Sequence, residues 1–314
     1  MALKSLLRSE TVLALIGLVV LTVLAYQSDR FFTPGNLLNQ GRLMTEVGLV
    51  AITMTFVIAT GGIDLSVGSI VGLTAILTGV FWQNMGFPLP LAMFAAIAAG
   101  TAAGLFNGLI IAGFGVPPLI ATLATLALYR GLAEGISQAR SVRGYPDWFY
   151  VLGQGNVAGV PTQLWILFAA AIVAATILGL TRWGRTVYAI GSNEVAARFS
   201  GLPVDRAKLA IYTASGFAAS VAGVIFVSRV STTRSDMGTG LELDAITAVV
   251  LGGTSIFGGR GTVVGTLIGL CLIQALKNGL SLAGVKGDGT IMLIGAVLIL
   301  AILVSNIFNR DGTR

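Results

Sequence analysis

Long apolar runs recur along the whole chain and are separated by short polar or glycine-rich breaks. Because a transmembrane helix needs roughly 20 predominantly apolar residues, windows of that length predict about ten spans. These cover residues 11–27, 43–60, 64–82, 89–112, 118–137, 162–180, 207–228, 242–257, 261–281 and 289–307. Whole windows are apolar on every face, whereas barrel strands would alternate over roughly ten residues. The pattern therefore predicts an all-α, polytopic transmembrane helical bundle.

Composition agrees with this class. Of 314 residues, 55% are hydrophobic and only 10% are charged, against about 25% charged in soluble domains. The first apolar run follows Lys4 and Arg8 without a clear cleavage site, which indicates a retained span. We expect residues 1–314 to form a single transmembrane domain with only loops and short tails outside it.

The stretch TGGIDLSVGS, residues 60–69, places a carboxylate between two of the most apolar runs. Asp64 at a helix centre would cost roughly 2.5–3.5 kcal/mol, so we expect a broken helix here. Gly61 and Gly62 let the chain leave one helix, and Asp64 can cap the next by accepting from a backbone N–H two or three residues later. Direct contact with a transported solute is the other role that this position allows.

Other polar residues in the apolar runs are further candidates for a translocation pathway. Ser66 and Thr122 join Asp64 in this group. Asn107 lies within a predicted span, where it either hydrogen-bonds a neighbouring helix or lines the pathway. A second helix break is predicted in GGTSIFGGRGT, where the glycines supply flexibility or close packing and no chemistry of their own. They include Gly252, Gly253, Gly258 and Gly259.

Charged residues near the span ends have structural interpretations. Arg130 and Glu134 are spaced to pair on one helix. Glu242 and Asp244 suit a helix start at the outer face, although they could also meet a binding partner together with Arg229 and Arg234. We expect the structural role for each.

Several chemistries have no residues to support them. The chain has no histidine, one cysteine and no P-loop lysine motif, which argues against histidine catalysis, zinc chemistry and nucleotide binding. We expect no catalytic residues, metal or cofactor. The net charge of +6 is explained by basic loops that contact anionic lipid, because no basic run suits nucleic acid. Transport energy would come from ion coupling or from a partner ATPase.

The loop over residues 182–208 carries the densest positive charge, which places it in the cytoplasm. An even number of spans then puts both termini on the same side. Within the loop, Asn193 can cap a short helix that begins with Glu194 and is stopped by Gly201 and Pro203. Such a helix is either a handle for a partner ATPase or a connector on the lipid surface.

Four segments, taken in order, resemble one family. AIGSNEVAARFSGLPVDRAK resembles the cytoplasmic coupling loop of permease subunits in ribose-type sugar ABC importers, within the branched-chain amino acid and monosaccharide permease superfamily. TGGIDLSVGS, GLFNGLIIAGFGVPPLIATLATLALYRGLA and LELDAITAVVLGGTSIFGGRGTVVGTLIG are similar to its other characteristic blocks. The resemblance extends from about Phe31 to Val304. One departure is VKGDGTIMLIGAVLIL after Gly284, where many sugar members have a glutamine-rich segment.

The resemblance implies a type II-like ABC importer permease in the bacterial inner membrane. It implies a cytoplasmic ABC ATPase, a second permease, identical or related, and an extracytoplasmic sugar-binding protein as partners. Its substrates would be monosaccharides or autoinducer-2, and RVSTTRSDMGTGLELDAIT is similar to rhamnose-type and autoinducer-type members. The implied ATPase-coupling residues are Asn193, Glu194, Ala197, Arg198, Ser200 and Gly201. The alternative function is an ion-coupled secondary carrier for a small polar solute, with Asp64 as its coupling site.

Overall fold

The computed structural model of the chain describes residues 30–285 and seven positions beyond them. These are Gly287, Gly289, Thr290, Met292, Gly295, Ala296 and Ile299. The predicted first span, 11–27, lies outside the described residues, as does most of the predicted span 289–307.

The described chain is mostly helical, and its elements follow one another in the order below. Helix α1 is Pro34–Ala59, α2 is Val67–Gly79 with a π-helical turn Val80–Asn84, and α3 is Leu89–Gly108 with a π-helical turn Leu109–Gly113. Then come α4 (Pro118–Ser137), α5 (Asp147–Gln154), the two-stranded hairpin β1 (Asn156–Val157) and β2 (Val160–Pro161), and α6 (Thr162–Leu180). Last are α7 (Arg182–Ser192), α8 (Glu194–Phe199), α9 (Val204–Val230), α10 (Leu241–Leu251) and α11 (Val263–Leu282).

Seven of these helices are long and apolar enough to cross a membrane: α1, α2 and α3 with their π turns, α4, α6, α9 and α11. The predicted polytopic helical bundle is therefore confirmed, although the count of ten spans is not. The predicted span over 242–257 is wrong as a full crossing, because α10 has 11 residues and stops at Leu251. At 1.5 Å per residue it covers about 16 Å, roughly half of a bilayer core. Gly253, with φ +87°, then turns the chain away.

Helix α9 is the centre of the bundle and packs against α1, α2, α3 and α5. Glycine allows its closest crossing: a Cβ on Gly104 of α3 would lie 2.4 Å from the Tyr212 carbonyl oxygen and 2.7 Å from Gly216 Cα. Small residues permit such backbone contact in lipid, where apolar side chains gain little by packing on each other. The outer faces of α3, α4 and α6 remain apolar and exposed, with side chains such as Phe94 and Ile172 available to lipid.

Two pairs of polar side chains join α1 to α11. The Asn36 amide nitrogen donates to Asn278 Oδ1 over 2.9 Å, and Gln274 Nε2 donates to Gln40 Oε1 over 2.6 Å. These paired amides let α1 begin at Pro34, nine residues before the predicted span. The polar residues satisfy each other across the two helices instead of facing hydrocarbon.

Arg130 does not pair with Glu134, so that prediction is wrong. Its guanidinium donates to backbone carbonyls, those of Ser235, of Met237 (3.0 Å) and of Gly68 (3.3 Å). The segment before α10 accepts two of these hydrogen bonds, and α2 accepts the third. Arg130 of α4 therefore joins that segment to α2. Glu242 and Asp244 do lie in the first turn of α10, as predicted, where negative charge stabilises the helix.

Candidate functional site

The polar candidates from the first helix break converge on one buried cluster. Asp64 Oδ1 accepts from the Ser66 backbone N–H (3.0 Å) and from the Ser66 hydroxyl (2.7 Å). Asp64 Oδ2 accepts from the Ser215 hydroxyl of α9 over 2.9 Å. Asn107 Nδ2 of α3 donates to Ser66 Oγ over 2.7 Å, and all four side chains are fully buried. The Asp64 carboxylate therefore links the break to α9, and the Ser66 hydroxyl links it to α3.

Helix α4 completes the cluster. The Thr122 hydroxyl lies 3.1 Å from the Ile63 carbonyl, and the Tyr129 hydroxyl lies 3.1 Å from Asn107 Oδ1 and 2.8 Å from the Ala103 carbonyl. Asn107 thus bonds neighbours through both ends of its amide, which is the helix-bridging role predicted for it. A role for these residues in the translocation pathway stays a prediction.

Asp64 stabilises the break but does not cap α2. The N-cap residue is Ser66, and α2 begins at Val67. The predicted hydrogen bond from the Ser66 N–H is confirmed, whereas the predicted capping position is wrong because the chain makes a local Asp–Ser turn first. In the part of the chain that the structure describes, no Lys or Arg pairs with Asp64. Three hydrogen-bond donors take the place of a counter-ion.

The loop over residues 182–208 contains the predicted short helix. Asn193 Oδ1 accepts from the Ala196 N–H over 2.9 Å, which confirms the predicted cap of α8. Gly201 adopts φ +76°, a conformation that glycine tolerates, and the chain then enters α9 after Pro203. Helix α7, which precedes α8, was not predicted as a separate element. Its N-cap is Thr181, whose hydroxyl accepts from the Gly184 N–H over 3.2 Å.

Ion pairs hold α8 against the first turns of α9. Glu194 accepts from Lys208 Nζ (2.6 Å) and from Arg198 Nη2 (3.2 Å), and Arg198 also binds Asp205 (2.5 and 2.8 Å). Partial burial raises the pKa of Glu194, but the hydrogen bonds and charges of Lys208 and Arg198 outweigh it and hold that pKa below its usual range. Glu194 and Arg198, predicted as coupling residues, are thus engaged within the loop itself.

One exposed face of α8 is apolar, which sequence reasoning missed. Val195 and Phe199 are 63% and 89% exposed and lie one turn apart on the same face. Ala197, by contrast, is buried against Ile190 and Val204. The signal in the sequence was the i, i+4 spacing of two large apolar residues, but which face of so short a helix is exposed depends on how it docks.

The end of α7 lies where the two helix breaks meet. The breaks are joined by the Gly259 N–H, which donates to the Ala59 carbonyl over 2.9 Å, and the side-chain hydroxyl of Tyr188 in α7 donates to the Gly261 carbonyl over 2.6 Å. Gly191 lies against this junction so closely that a Cβ there would be 1.8 Å from the Ala59 oxygen and 2.4 Å from the Gly259 nitrogen. The end of α7 is therefore packed tightly on the end of α1 and on the segment between α10 and α11.

The other break glycines also lie at close contacts. A Cβ on Gly258 would lie 2.7 Å from the Gly191 carbonyl oxygen, and one on Gly252 would lie 2.3 Å from the Gly265 carbonyl oxygen. Gly61 has φ +78°, where only glycine is unstrained. Gly252 and Gly258 thus pack backbone on backbone, which is one of the two roles predicted for the second break, whereas Gly61 turns the chain out of α1.

Comparison with known proteins decides the family. The family described as "Branched-chain amino acid transport system / permease component" matches residues 36–302, which include every described helix except the first two residues of α1. The chain belongs to this family.

Similar proteins include two ribose import permeases and one autoinducer-2 import permease. The chain is 40% identical to the Ribose import permease protein RbsC of Escherichia coli K12, over 96% of this chain and 94% of that protein. It is 40% identical to RbsC of Bacillus subtilis 168 (92% and 90% covered). It is 38% identical to the Autoinducer 2 import system permease protein LsrD of Escherichia coli O9:H4 (93% and 90% covered). No solved structure matches the chain.

Proposed function

We propose that this chain is the permease subunit of an ATP-binding-cassette importer that carries a monosaccharide across the bacterial inner membrane. The ribose and autoinducer-2 permeases that it resembles support this class of cargo, and a ribose-, rhamnose- or autoinducer-2-like solute fits it. The chain is not itself an enzyme: ATP hydrolysis belongs to a cytoplasmic ATPase partner. A second permease and an extracytoplasmic sugar-binding protein complete the importer.

The observation that carries the proposal is the exposed apolar pair Val195 and Phe199 on α8. An exposed phenylalanine at the end of a short, ionically clamped helix suits a groove on another protein, because its burial there removes apolar surface from water. Asn193 alone separates this helix from α7, whose end lies against Ala59 and Gly259. Motion of an ATPase bound to α8 would thus reach both helix breaks through rigid backbone contacts.

Orientation follows from the same assignment. Helix α8 and the loop over residues 182–208 face the cytoplasm in this account. The ion-coupled carrier is the weaker function because, among the residues that the structure describes, Asp64 accepts from hydroxyl and backbone donors and pairs with no Lys or Arg.

Co-purification with the ATPase encoded beside this chain tests the proposal. The variant Val195→Asp with Phe199→Asp removes the apolar surface while leaving Ala197 and the ionic clamp in place, and we expect it to release the ATPase. The matched control is Phe114→Ala, another phenylalanine that is 82% exposed but lies outside α8. It should retain the ATPase as the wild type does. Retention by the Asp double variant would mean that α8 is a connector on the lipid surface.

A further inference from the structure

A cavity lies at the end of α9 remote from α8. Helix α9 has 27 residues, so about 40 Å of helix separates the two ends. The cavity has a volume of about 390 Å³ and is walled by α1, the last turns of α9 and the segment that leads into α10. Small-molecule sites have volumes of roughly 300–1,000 Å³, so a monosaccharide fits this space.

Glu46 supplies an unsatisfied acceptor in the wall of this cavity. The residue is only 2% exposed, and its Oε1 accepts from Arg229 Nε over 2.6 Å. Its Oε2 is buried and has no hydrogen-bond partner among the described residues. A buried carboxylate oxygen without a donor is costly, and a ligand hydroxyl that donates to Oε2 would remove this cost.

Arg229 and Phe226 add the other two features of a hydroxyl-binding site. The guanidinium of Arg229 stacks over the Phe226 ring at 4.7 Å from its centroid. The hydrogen bond to Glu46 uses Nε, so the terminal nitrogens can donate to ligand oxygens. Both residues line the cavity together with Glu46, so an acceptor from α1 meets paired donors and an aromatic ring from one turn of α9.

The charges around the cavity balance, which selects for a neutral ligand. Each charged side chain that lines it is neutralised by an opposite charge close by. The three pairs are Glu46–Arg229 (2.6 Å), Arg234–Asp236 (2.5 Å) and Asp244–Lys277 (2.5 Å). An anion or a cation would meet its own charge as well as the opposite one, whereas a polyhydroxyl solute can donate to the carboxylates and accept from the guanidinium.

We propose that this cavity is a receiving site for a neutral monosaccharide, which binds through Glu46 Oε2, the terminal nitrogens of Arg229 and the Phe226 ring. The inference rests on the proposed function, because it places the cavity on the extracytoplasmic face where a binding protein releases its cargo. The site is distinct from the buried cluster at Asp64, which holds the helix break.

Saturation-transfer NMR on the full-length permease in nanodiscs, with and without the ATPase and always without binding protein, tests the site. The probes are D-ribose, L-rhamnose, D-xylose and D-galactose, with D-ribonate as an anionic comparison. We expect at least one neutral sugar to bind saturably and D-ribonate to bind at least ten-fold more weakly. Absence of binding by all four sugars, or tighter binding of D-ribonate, would overturn the inference.

Two variants locate the binding. Glu46→Gln replaces the Oε2 acceptor with a group that cannot carry its charge, and it should weaken sugar binding at least ten-fold. Phe226→Leu leaves the Glu46–Arg229 pair intact and should weaken binding about three-fold or more. Glu134→Gln, an exposed carboxylate on α4, is the matched control and should bind as the wild type does. Wild-type binding by both cavity variants would contradict the assignment.

Recovery of the ATPase separates this inference from the proposed function. Each cavity variant should co-purify with the ATPase, since the cavity lies at the opposite end of α9; this also shows that the variant is folded. If the wild type binds sugar but never retains the ATPase, the proposed function fails and the sugar site stands. If the ATPase is retained and no sugar binds, the sugar-site inference fails and the proposed function stands.

Discussion

Gly191→Ala tests whether α7 transmits motion to the helix breaks. The added Cβ would lie 1.8 Å from the Ala59 carbonyl oxygen and 2.4 Å from the Gly259 nitrogen, whereas real Cβ atoms essentially never come closer than 3.0 Å. Both obstacles are backbone atoms, so no side chain can rotate away. The end of α7 must separate from the junction by about 1.2 Å or more.

The expected cost follows from these contacts. Overpacking a tight contact typically lowers the free energy of unfolding by about 1–3 kcal/mol, and alanine in place of glycine within a helix raises it by up to about 1 kcal/mol. We therefore expect a net destabilisation of about 1–2 kcal/mol, confined to the junction of α7 with the two breaks. The larger consequence is functional: ATPase binding through α8 should persist, while ATP-driven uptake should fall at least ten-fold.

The assay compares two glycine-to-alanine variants by thermal unfolding in detergent and by uptake in membrane vesicles. Gly179→Ala is the matched control, since Gly179 is within α6 and a Cβ there meets nothing within 4 Å. It should unfold at or slightly above the wild-type temperature and transport normally. If Gly191→Ala matches this control in both measurements, the proposed mechanical link through α7 is refuted.

Three further predictions concern the break, the clamp and the central crossing. Asp64→Asn should keep the fold and partly impair uptake. Asp64→Leu should reduce the assembled protein recovered from membranes, because three buried donors lose their acceptor. Wild-type uptake by the Leu variant would contradict this prediction. The depressed pKa of Glu194 means that the clamp contributes stability above the carboxyl's usual pKa, 4.5, and loses it as pH falls through the lower folded value. The hydrogen-exchange protection of α8, corrected for the intrinsic exchange rate at each pH, should therefore fall there. Glu194→Gln should remove this pH dependence and lower the protection at pH 7. Gly104→Ala places a Cβ 2.4 Å from backbone of α9 and should lower the unfolding temperature, unlike Gly131→Ala, which meets nothing within 4 Å.

Hydropathy was sufficient to predict most of the helices because a bilayer leaves few alternatives to long apolar helices. The predicted spans 118–137 and 162–180 coincide with α4 and α6. The same window missed the start of α1, where Asn36 and Gln40 look like loop residues until α11 supplies their partners. The hydropathy window also joined α10 and the following glycines into one predicted span, because it averages hydropathy across the break.

The candidate site was predicted in part. Asp64 and Asn107 were found because polar residues in apolar runs are conspicuous, but Ser215 and Tyr129 carry no comparable signal and enter the cluster only through helix packing. The exposed face of α8 was missed because exposure depends on docking against α9. Gly191 could not be distinguished from other glycines, since the atoms that it contacts are remote in sequence.

Uptake by the reconstituted importer tests the central claim most directly. The permease, the ATPase and the sugar-binding protein are placed in proteoliposomes with ATP inside, and uptake of radiolabelled D-ribose, L-rhamnose, D-xylose and D-galactose is measured with and without a protonophore and a sodium ionophore. We predict that at least one sugar accumulates only when ATP is present and continues to do so after both ion gradients collapse. Accumulation without ATP that stops when the gradients collapse would contradict the account and identify an ion-coupled carrier.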